Sequence, residues 1–216
     1  SKLSKEITVA AKMGMPDPNQ NARLRSAIQV AKAASFPREN IERAIKKSSD
    51  KAMDSFEEIR YEGFGPAGTS VIVEALTDNR NRSAADVRAI FQKNGGSFAE
   101  SGSVSHQFIR YGFLKYPTTI SSQDNFFSSA IEAGAEDCLF EGDCFEALCL
   151  PENLSIFYSS LETIFGEPES SGFLWKPSSL VEVTGEKVKT LFNLLDELDD
   201  NEDVQSVFSN YDVSEE

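Results

Sequence analysis

The chain has only one histidine and three cysteines among its 216 residues, and this scarcity excludes several kinds of active site. Most nucleophilic triads use a histidine as their base, and His106 lies in a segment whose pattern predicts a strand, which favours a structural role. Cys138, Cys144 and Cys149 form no C-x-x-C pair and begin 32 residues after His106, which matches no zinc-binding pattern. We therefore expect three reduced, buried thiols and no metal site.

Long apolar segments are also absent. No run approaches the roughly 18 apolar residues that a membrane helix needs. The first residues, SKLSKEITVAAK, are charged and amphipathic, unlike a signal peptide. These features predict a cytoplasmic protein that makes no contact with membranes.

A glycine-rich segment over residues 63–68 matches the pattern G-x-G-x-x-G. A dinucleotide-binding motif follows a strand and opens a helix, whereas this segment precedes a predicted strand and contains Pro66. We therefore interpret it as a loop whose glycines adopt positive φ angles. The sequence indicates no cofactor, no small-molecule substrate and no catalytic residue, so an enzyme is not expected.

An acidic segment near the C-terminus has the spacing of a calcium loop. Asp199, Asn201 and Asp203 match the first three ligand positions, but the sixth position is Val204 instead of glycine and the twelfth is Asn210 instead of glutamate. A solvated, acidic helix end is the favoured interpretation.

Charge is abundant but unevenly distributed. The chain carries a net charge of −14. Residues 1–52 contain 11 basic and 5 acidic side chains, a net of +6, and residues 53–115 have a net of −1. Residues 116–216 contain 3 basic and 22 acidic side chains, a net of −19. Because an acidic body repels polyanions, the N-terminal segment is the expected point of contact with nucleic acid.

Hydrophobic periodicity predicts short helices with alanine-rich faces, followed by alternating strands and helices. Ser35 is expected to help start the third helix and Ser83 to cap the fourth. The segment around Gly112 predicts a hairpin or a pair of strands. The pattern indicates a multi-domain α+β protein, with a helical N-terminal domain and two small α/β sandwich-like modules of the split βαβ type. The predicted helices cover residues 1–13, 20–34, 37–47, 84–94, 123–134 and 151–165, with one more near the C-terminus.

Lysine and arginine on helical faces contact phosphates and produce salt-dependent affinity. The turn over residues 78–82 adds two arginines near a helix N-terminus, where phosphate is favoured. The alternative is that these charges only solubilise small helices. The candidate nucleic-acid contacts are Lys2, Lys5, Lys12, Arg23, Arg25, Lys32, Arg38, Arg43, Lys46 and Lys47, with Arg80 and Arg82 as secondary contacts.

Six blocks of sequence, in order, cover nearly the whole chain. They are SKLSKEITVAAKMG, DPNQNARLRSAIQVAKAASFPRENIERAIKK, YEGFGPAGTSVIVEALTDNRNRSAADVRAIFQKNGG, GSVSHQF, IEAGAEDC and DVQSVFSN. Together they resemble the YebC/PmpR family of bacterial proteins, whose mitochondrial relatives are translational activators.

The resemblance implies three domains and no catalytic residues. A basic three-helix domain would cover residues 1–52, and a central α/β domain would combine residues 53–116 and 177–216. An acidic α/β domain over residues 117–176 would be inserted into the central one. Family members usually carry a further Lys/Arg-rich stretch before the block that begins at Ser1, so the helical domain is expected to be N-terminally incomplete.

Three functions remain open from the sequence. The resemblance favours a transcriptional regulatory protein that binds DNA through its basic N-terminal helices. The alternative is a ribosome-associated translation factor, or translational activator, that binds rRNA. A third possibility is a protein-interaction module without a nucleic-acid role. The sequence does not indicate the target sequence or the oligomeric state.

Overall fold

In the computed structural model, which describes residues 1–214, the chain forms seven α-helices and ten strands. It divides into two compact units, one made of residues 3–50 and 110–174, the other of residues 51–109 and the chain from Trp175 onward. The predicted multi-domain α+β class is confirmed. Within the described part of the chain, no helix is both long enough and apolar enough to cross a bilayer.

The helices and strands of the described residues are numbered in chain order. They are α1 (Lys2–Met13), α2 (Ala22–Ala33), α3 (Arg38–Lys47), β1 (Glu57–Phe64), β2 (Ser70–Thr77), α4 (Arg80–Lys93), β3 (Ser97–Ala99), β4 (Phe108–Pro117), α5 (Gln123–Glu132), β5 (Asp137–Glu141), β6 (Cys144–Cys149), α6 (Leu154–Phe165), β7 (Ser170–Pro177), β8 (Val181–Glu182), α7 (Glu186–Asp200), β9 (Val204–Ser209) and β10 (Tyr211–Asp212).

The three N-terminal helices form as predicted and share one apolar core. Ile7, Leu24, Ala31 and Ile41 are buried in it together with further alanines, whose small side chains let the helices approach closely. Ser35 does not cap α3. It lies in the preceding turn with φ of 59°, and Pro37 occupies the N-cap position.

The second unit is built on an antiparallel sheet in the order β3-β1-β2-β9. Because β2 and β3 both pair antiparallel with β1, they are parallel to each other on either side of it, which is the split βαβ arrangement. Helices α4 and α7 pack on one face, where Phe91, Leu194 and Leu198 are fully buried. The C-terminal strand β9 completes this sheet by pairing with β2.

The first unit contains a second sheet, in the order β5-β6-β4-β7. Its chain order is strand, helix, strand, strand, helix, strand, which with this sheet order is a ferredoxin-like arrangement. The break expected at Gly112 does not occur, because β4 is one continuous strand that pairs with β6. Residues 108–116, which lie in β4, therefore belong to this sheet. Gly112 is instead closely packed, since a Cβ there would lie 3.0 Å from the Sγ atom of Cys149.

Part of the glycine-rich segment forms the turn between β1 and β2, but the predicted loop is wrong for Gly63 and Phe64, which end β1. Gly68 has φ of +74°, as predicted, and Ala67 also lies in the left-handed region, whereas Gly65 has φ of −103°. Gly63 is needed for a different reason, because a Cβ there would lie 2.6 Å from the Phe91 ring.

Helix α4 begins at Arg80, four residues before the predicted start. Its cap is Asn79, whose side-chain oxygen accepts a hydrogen bond from the Arg82 backbone N–H at 3.1 Å. The expected cap, Ser83, is buried inside the first turn. His106 was also misplaced by the sequence pattern, since it lies exposed on a short 3-10 turn immediately before β4.

A buried carboxylate holds the loop that precedes β4. Glu62 on β1 is 1% exposed, and its oxygens accept hydrogen bonds from the backbone N–H groups of Gly102, Val104 and Ser105 at 2.6–3.0 Å. Burial by itself raises the pKa of Glu62, but these three donors and the nearby Arg60 outweigh burial and lower the pKa below its usual value.

We expect Glu62→Gln to lower the free energy of unfolding at pH 7 by about 1–3 kcal/mol, because a charged acceptor of three donors is lost. A carboxyl with a lowered folded-state pKa stabilises the fold above its unfolded pKa, near 4.3, and loses that contribution as the pH falls. Urea titrations at pH 7 and in the acid range should therefore show the difference between variant and parent shrinking towards low pH. A difference that stays constant with pH would contradict the charge-based explanation.

The core of the second sheet depends on stacked aromatic rings. Phe126 is buried and its ring stacks on Phe145 with centroids 4.9 Å apart. We expect Phe126→Ala to cost about 3–5 kcal/mol of unfolding free energy, through lost burial and the cavity left behind. Phe140→Ala, at an exposed position that also contacts Phe145, is the control and should cost about 1 kcal/mol or less in the same urea titrations.

Candidate nucleic-acid interface

Two polar side chains fix how the N-terminal helices present their outer faces. The Thr8 hydroxyl lies 2.9 Å from the carbonyl oxygen of Ala44, which ties α1 to the end of α3. Asn21 caps α2 by accepting from the Leu24 N–H at 3.0 Å, and its amide donates to the Ala10 carbonyl at 2.8 Å. Both contacts are with backbone groups, so they set the relative positions of the helices.

The outer face of α3 carries the most compact group of exposed cations among the candidates. Ile41 and Ala44 are buried in the helical core, while Arg43, Lys46 and Lys47 lie on the exposed side of the same helix. We call these three residues the α3 basic face. Lys46 and Lys47 also lie in the last turn, where cations interact favourably with the helix dipole, so their position has a structural explanation as well.

The other candidates on the N-terminal helices are placed differently. Lys12 and Lys32 are exposed in the last turns of α1 and α2. Lys2 and Lys5 are half-buried on α1. Arg38 is highly exposed and forms an ion pair with Glu42 at 2.9 Å. Half-buried Arg23 forms an ion pair of the same length with Glu6.

Arg25 is committed to a contact within the protein. Its side chain is 21% exposed, its Nε atom donates to the Tyr158 hydroxyl at 3.1 Å, and its guanidinium lies 4.9 Å from the centre of the Tyr158 ring. Glu167 lies 3.7 Å from the same nitrogen. The structure therefore explains Arg25 as a link between α2 and the ferredoxin-like part of its unit.

Two neighbours of Arg25 on α2 strengthen this link, and the sequence contained no signal for them. The buried Ser26 hydroxyl lies 2.9 Å from the Ser171 carbonyl oxygen and 3.2 Å from the Ser171 N–H nitrogen. Ser26 thereby satisfies the backbone of edge strand β7. Gln29 donates to Glu167 at 2.8 Å.

The two secondary candidates lie in the other unit. The Nη2 atom of Arg82 donates to both carboxylate oxygens of Asp203 at 3.1 Å. It also donates to a carboxylate oxygen of Asp78 at 3.0 Å. Asp203 and then Asp78 raise the pKa of Arg82 through these contacts. Arg80 is exposed and lies 3.7 Å from Glu57.

At Asp203 the structure differs from the prediction of a solvated, acidic helix end. Asp203 is 4% exposed, and its carboxylate also lies 2.6 Å from the Ser83 hydroxyl, which in turn lies 2.7 Å from that of Thr77. The predicted solvated helix end is therefore wrong for this residue. Asp203 connects the end of α7 to the start of α4 through Arg82 and Ser83.

The arrangement of the described side chains gives little support for a metal-binding site or for reactive thiols. Among residues 1–214, no group of three or more His, Cys, Asp or Glu side chains is placed to hold a metal ion. All three cysteines are free thiols, with Cys149 buried and the other two half-buried. Burial raises the pKa of Cys138 and of Cys149 to about 11, which disfavours the reactive thiolate.

These features define a multi-domain α+β protein, with basic helices at its N-terminus followed by two four-stranded sheets. Residues 1–51 match the TACO1/YebC protein N-terminal domain, and residues 56–211 match the TACO1/YebC second and third domain. The chain therefore belongs to the TACO1/YebC family.

Two relatives support this assignment over the full length of the chain. The sequence is 48% identical to a protein of Zymomonas mobilis named "Probable transcriptional regulatory protein", covering 100% of this chain and 87% of the relative. The fold is similar to the crystal structure of a conserved hypothetical protein from Aquifex aeolicus, with a TM-score of 0.89 and 41% sequence identity. That likeness covers 100% of this chain and 89% of the other.

We expect Arg25→Ala to lower the free energy of unfolding by about 1.5–3 kcal/mol, because it removes charge-assisted hydrogen bonds at a largely buried position. Lys32→Ala is the matched control, since it removes the same charge from an exposed position on the same helix and should change stability by about 0.5 kcal/mol or less. Urea unfolding of both variants provides the comparison. Equal effects would contradict the structural role assigned to Arg25.

Proposed function

We propose that this protein is a non-catalytic transcriptional regulatory protein that binds DNA through its N-terminal helices, mainly through the α3 basic face. The observation that carries the proposal is the exposure of three cations on one side of a single helix, within a segment of net charge +6. The name of the Zymomonas mobilis relative agrees with a regulatory role.

The geometry favours fewer DNA-contacting residues than the charge of the N-terminal segment alone suggested. Arg25 and Arg82 have carboxylate and hydroxyl partners inside the protein, and moving either side chain to a phosphate would break those contacts. Arg38 has only an exposed ion pair with Glu42, which a phosphate can replace at little cost. We therefore propose Arg38, Lys12 and Lys32 as secondary contacts around the α3 basic face.

The proposed contacts are with phosphates, which position a protein on DNA without reading its sequence. Each neutralised phosphate releases counterions, so the affinity should fall steeply as the salt concentration rises. The acidic remainder of the chain lowers the affinity at low salt, because it repels the polyanion. Salt also screens this repulsion, so it offsets part of the salt dependence that the phosphate contacts produce.

The test compares Lys46→Gln/Lys47→Gln with Lys187→Gln/Lys189→Gln. Both double variants remove two exposed positive charges, the first from the α3 basic face and the second from α7. In electrophoretic shifts over a salt series, we expect the α3 variant to flatten the slope of log affinity against log salt by about two units. The α7 variant should keep the slope of the parent protein.

The same assay separates regulation from unspecific binding. A regulator should prefer a duplex from a target promoter over a scrambled duplex of equal length at physiological salt. Equal, weak affinity for both duplexes would refute sequence-specific regulation while leaving the phosphate contacts intact. Identical slopes for both double variants would refute the proposed interface itself.

A second candidate function is a ribosome-associated translation factor that binds rRNA. The separation of charge favours it, because a segment of +6 beside a C-terminal half of −19 suits docking on RNA at one end only. Co-sedimentation with ribosomes on sucrose gradients tests this candidate. If the protein remains at the top of the gradient even at low salt, the translational alternative fails.

A further inference from the structure

The outer face of α6 is an uncharged, exposed surface on an acidic module. Ile156 and Ile164 are 71% and 55% exposed, respectively, although isoleucine is among the residues most often buried. Ser155, Ser159, Ser160 and Thr163 lie between and beside them on the same side of the helix. We call these six residues the α6 face. A shallow depression is lined by Ser155, Ile156, Ser159, Ser160 and Thr163.

Three of the four hydroxyl groups on the α6 face are bonded within the helix. The hydroxyls of Ser159, Ser160 and Thr163 lie 3.1, 3.0 and 2.9 Å, respectively, from the carbonyl oxygens four residues earlier. Such back-bonding takes the polar hydrogens out of competition with solvent. The oxygens of these hydroxyls can still accept a hydrogen bond. Because their donors are occupied, the face offers a partner mainly the carbons of the isoleucines and of the small side chains.

The chain segment that carries the α6 face contributes only negative charge, although Arg25 of α2 contacts Tyr158 and Glu167 in this segment. Residues 151–169, which include α6 and its two flanking turns, contain four glutamates and no lysine or arginine. The whole segment from Arg110 to Leu174 contains 2 basic and 11 acidic side chains, a net charge of −9. An apolar centre with a charged rim is the usual anatomy of a protein–protein contact.

We propose that the α6 face binds a basic protein partner, which contributes an apolar helical ridge flanked by lysine or arginine. Charge complementarity selects this occupant, because a second copy of the chain would oppose two modules of charge −9 and a nucleic acid would also be repelled. The small residues on the face allow a partner helix to approach closely. This surface is separate from the α3 basic face, and the proposal does not depend on DNA binding.

The test uses a synthetic amphipathic helix of leucine and lysine as the probe, with a leucine–glutamate helix of equal length as its negative control. Binding to the full chain is measured by titration, and its location by amide chemical shifts. Ile156→Asp should weaken binding of the lysine helix about tenfold, the loss expected for one buried isoleucine contact. Ile131→Asp is the matched control, because Ile131 is 64% exposed on α5 and lies outside the α6 face.

The aspartate substitutions separate apolar docking from unspecific charge attraction. Each adds a negative charge, which by itself would strengthen binding of a basic peptide, so weaker binding of Ile156→Asp alone supports the proposal. Unchanged or stronger binding of that variant, or equal losses in both variants, would overturn it. Circular dichroism and urea midpoints matching those of the parent establish that both variants fold.

Further measurements test whether the α6 face instead binds a second copy of the chain, an acidic helix or DNA. Sedimentation velocity of the parent chain over a concentration series should show no self-association through α6. A dimer that Ile156→Asp abolishes would assign the face to a second copy and overturn the proposal. Binding of the leucine–glutamate helix, or of duplex DNA, with shifts centred on α6 would overturn it in the same way.

Discussion

The arrangement of the first unit depends on one helix with two occupied faces. Leu24 and Ala31 of α2 point into the three-helix core, while Arg25, Ser26 and Gln29 contact the ferredoxin-like part of the same unit. The first contact is apolar and the second is polar, with an ion pair, hydrogen bonds and an arginine over an aromatic ring. Because α2 has little free surface left, the exposed cations of the segment are concentrated on α3 and at the ends of α1 and α2.

Residues 110–174 interrupt the second unit along the chain, and the sheet topology shows that this interruption begins and ends on neighbouring strands. Strands β4 and β7, which begin and end the insertion, are neighbours in the second sheet. The chain therefore leaves the central unit and returns to it at nearby points. Phe108 and Trp175, at these two points, both pack around Ile72 of the central sheet. An insertion with adjacent ends leaves the host sheet free to be completed later by β9.

Some of the acidic residues that dominate the net charge are structural, while others shape the surface. Glu62 and Asp203 are buried carboxylates with several hydrogen-bond donors each, and they hold a loop and a helix terminus in place. Glu167 pairs with α2. The glutamates around α6 instead leave an uncharged helix face inside a field of one sign. A charge count for the chain cannot distinguish these roles, because it ignores burial and partners.

The sequence by itself determined the helices, the class of fold and the division of charge, because these follow from periodicity and composition over short windows. It also indicated the turn after Phe64, but not that Gly63 and Phe64 belong to strand β1. Tertiary structure alone decided the roles of Arg25, Arg82, Ser83 and Gly112. The partners of Arg25 and Arg82 lie 133 and 121 residues away along the chain. Each of these arginines looks like a free cation in its local segment. It forms a structural contact because the fold brings a distant hydroxyl or carboxylate within hydrogen-bonding distance. The spacing of residues within a short segment cannot predict which distant residues will come close.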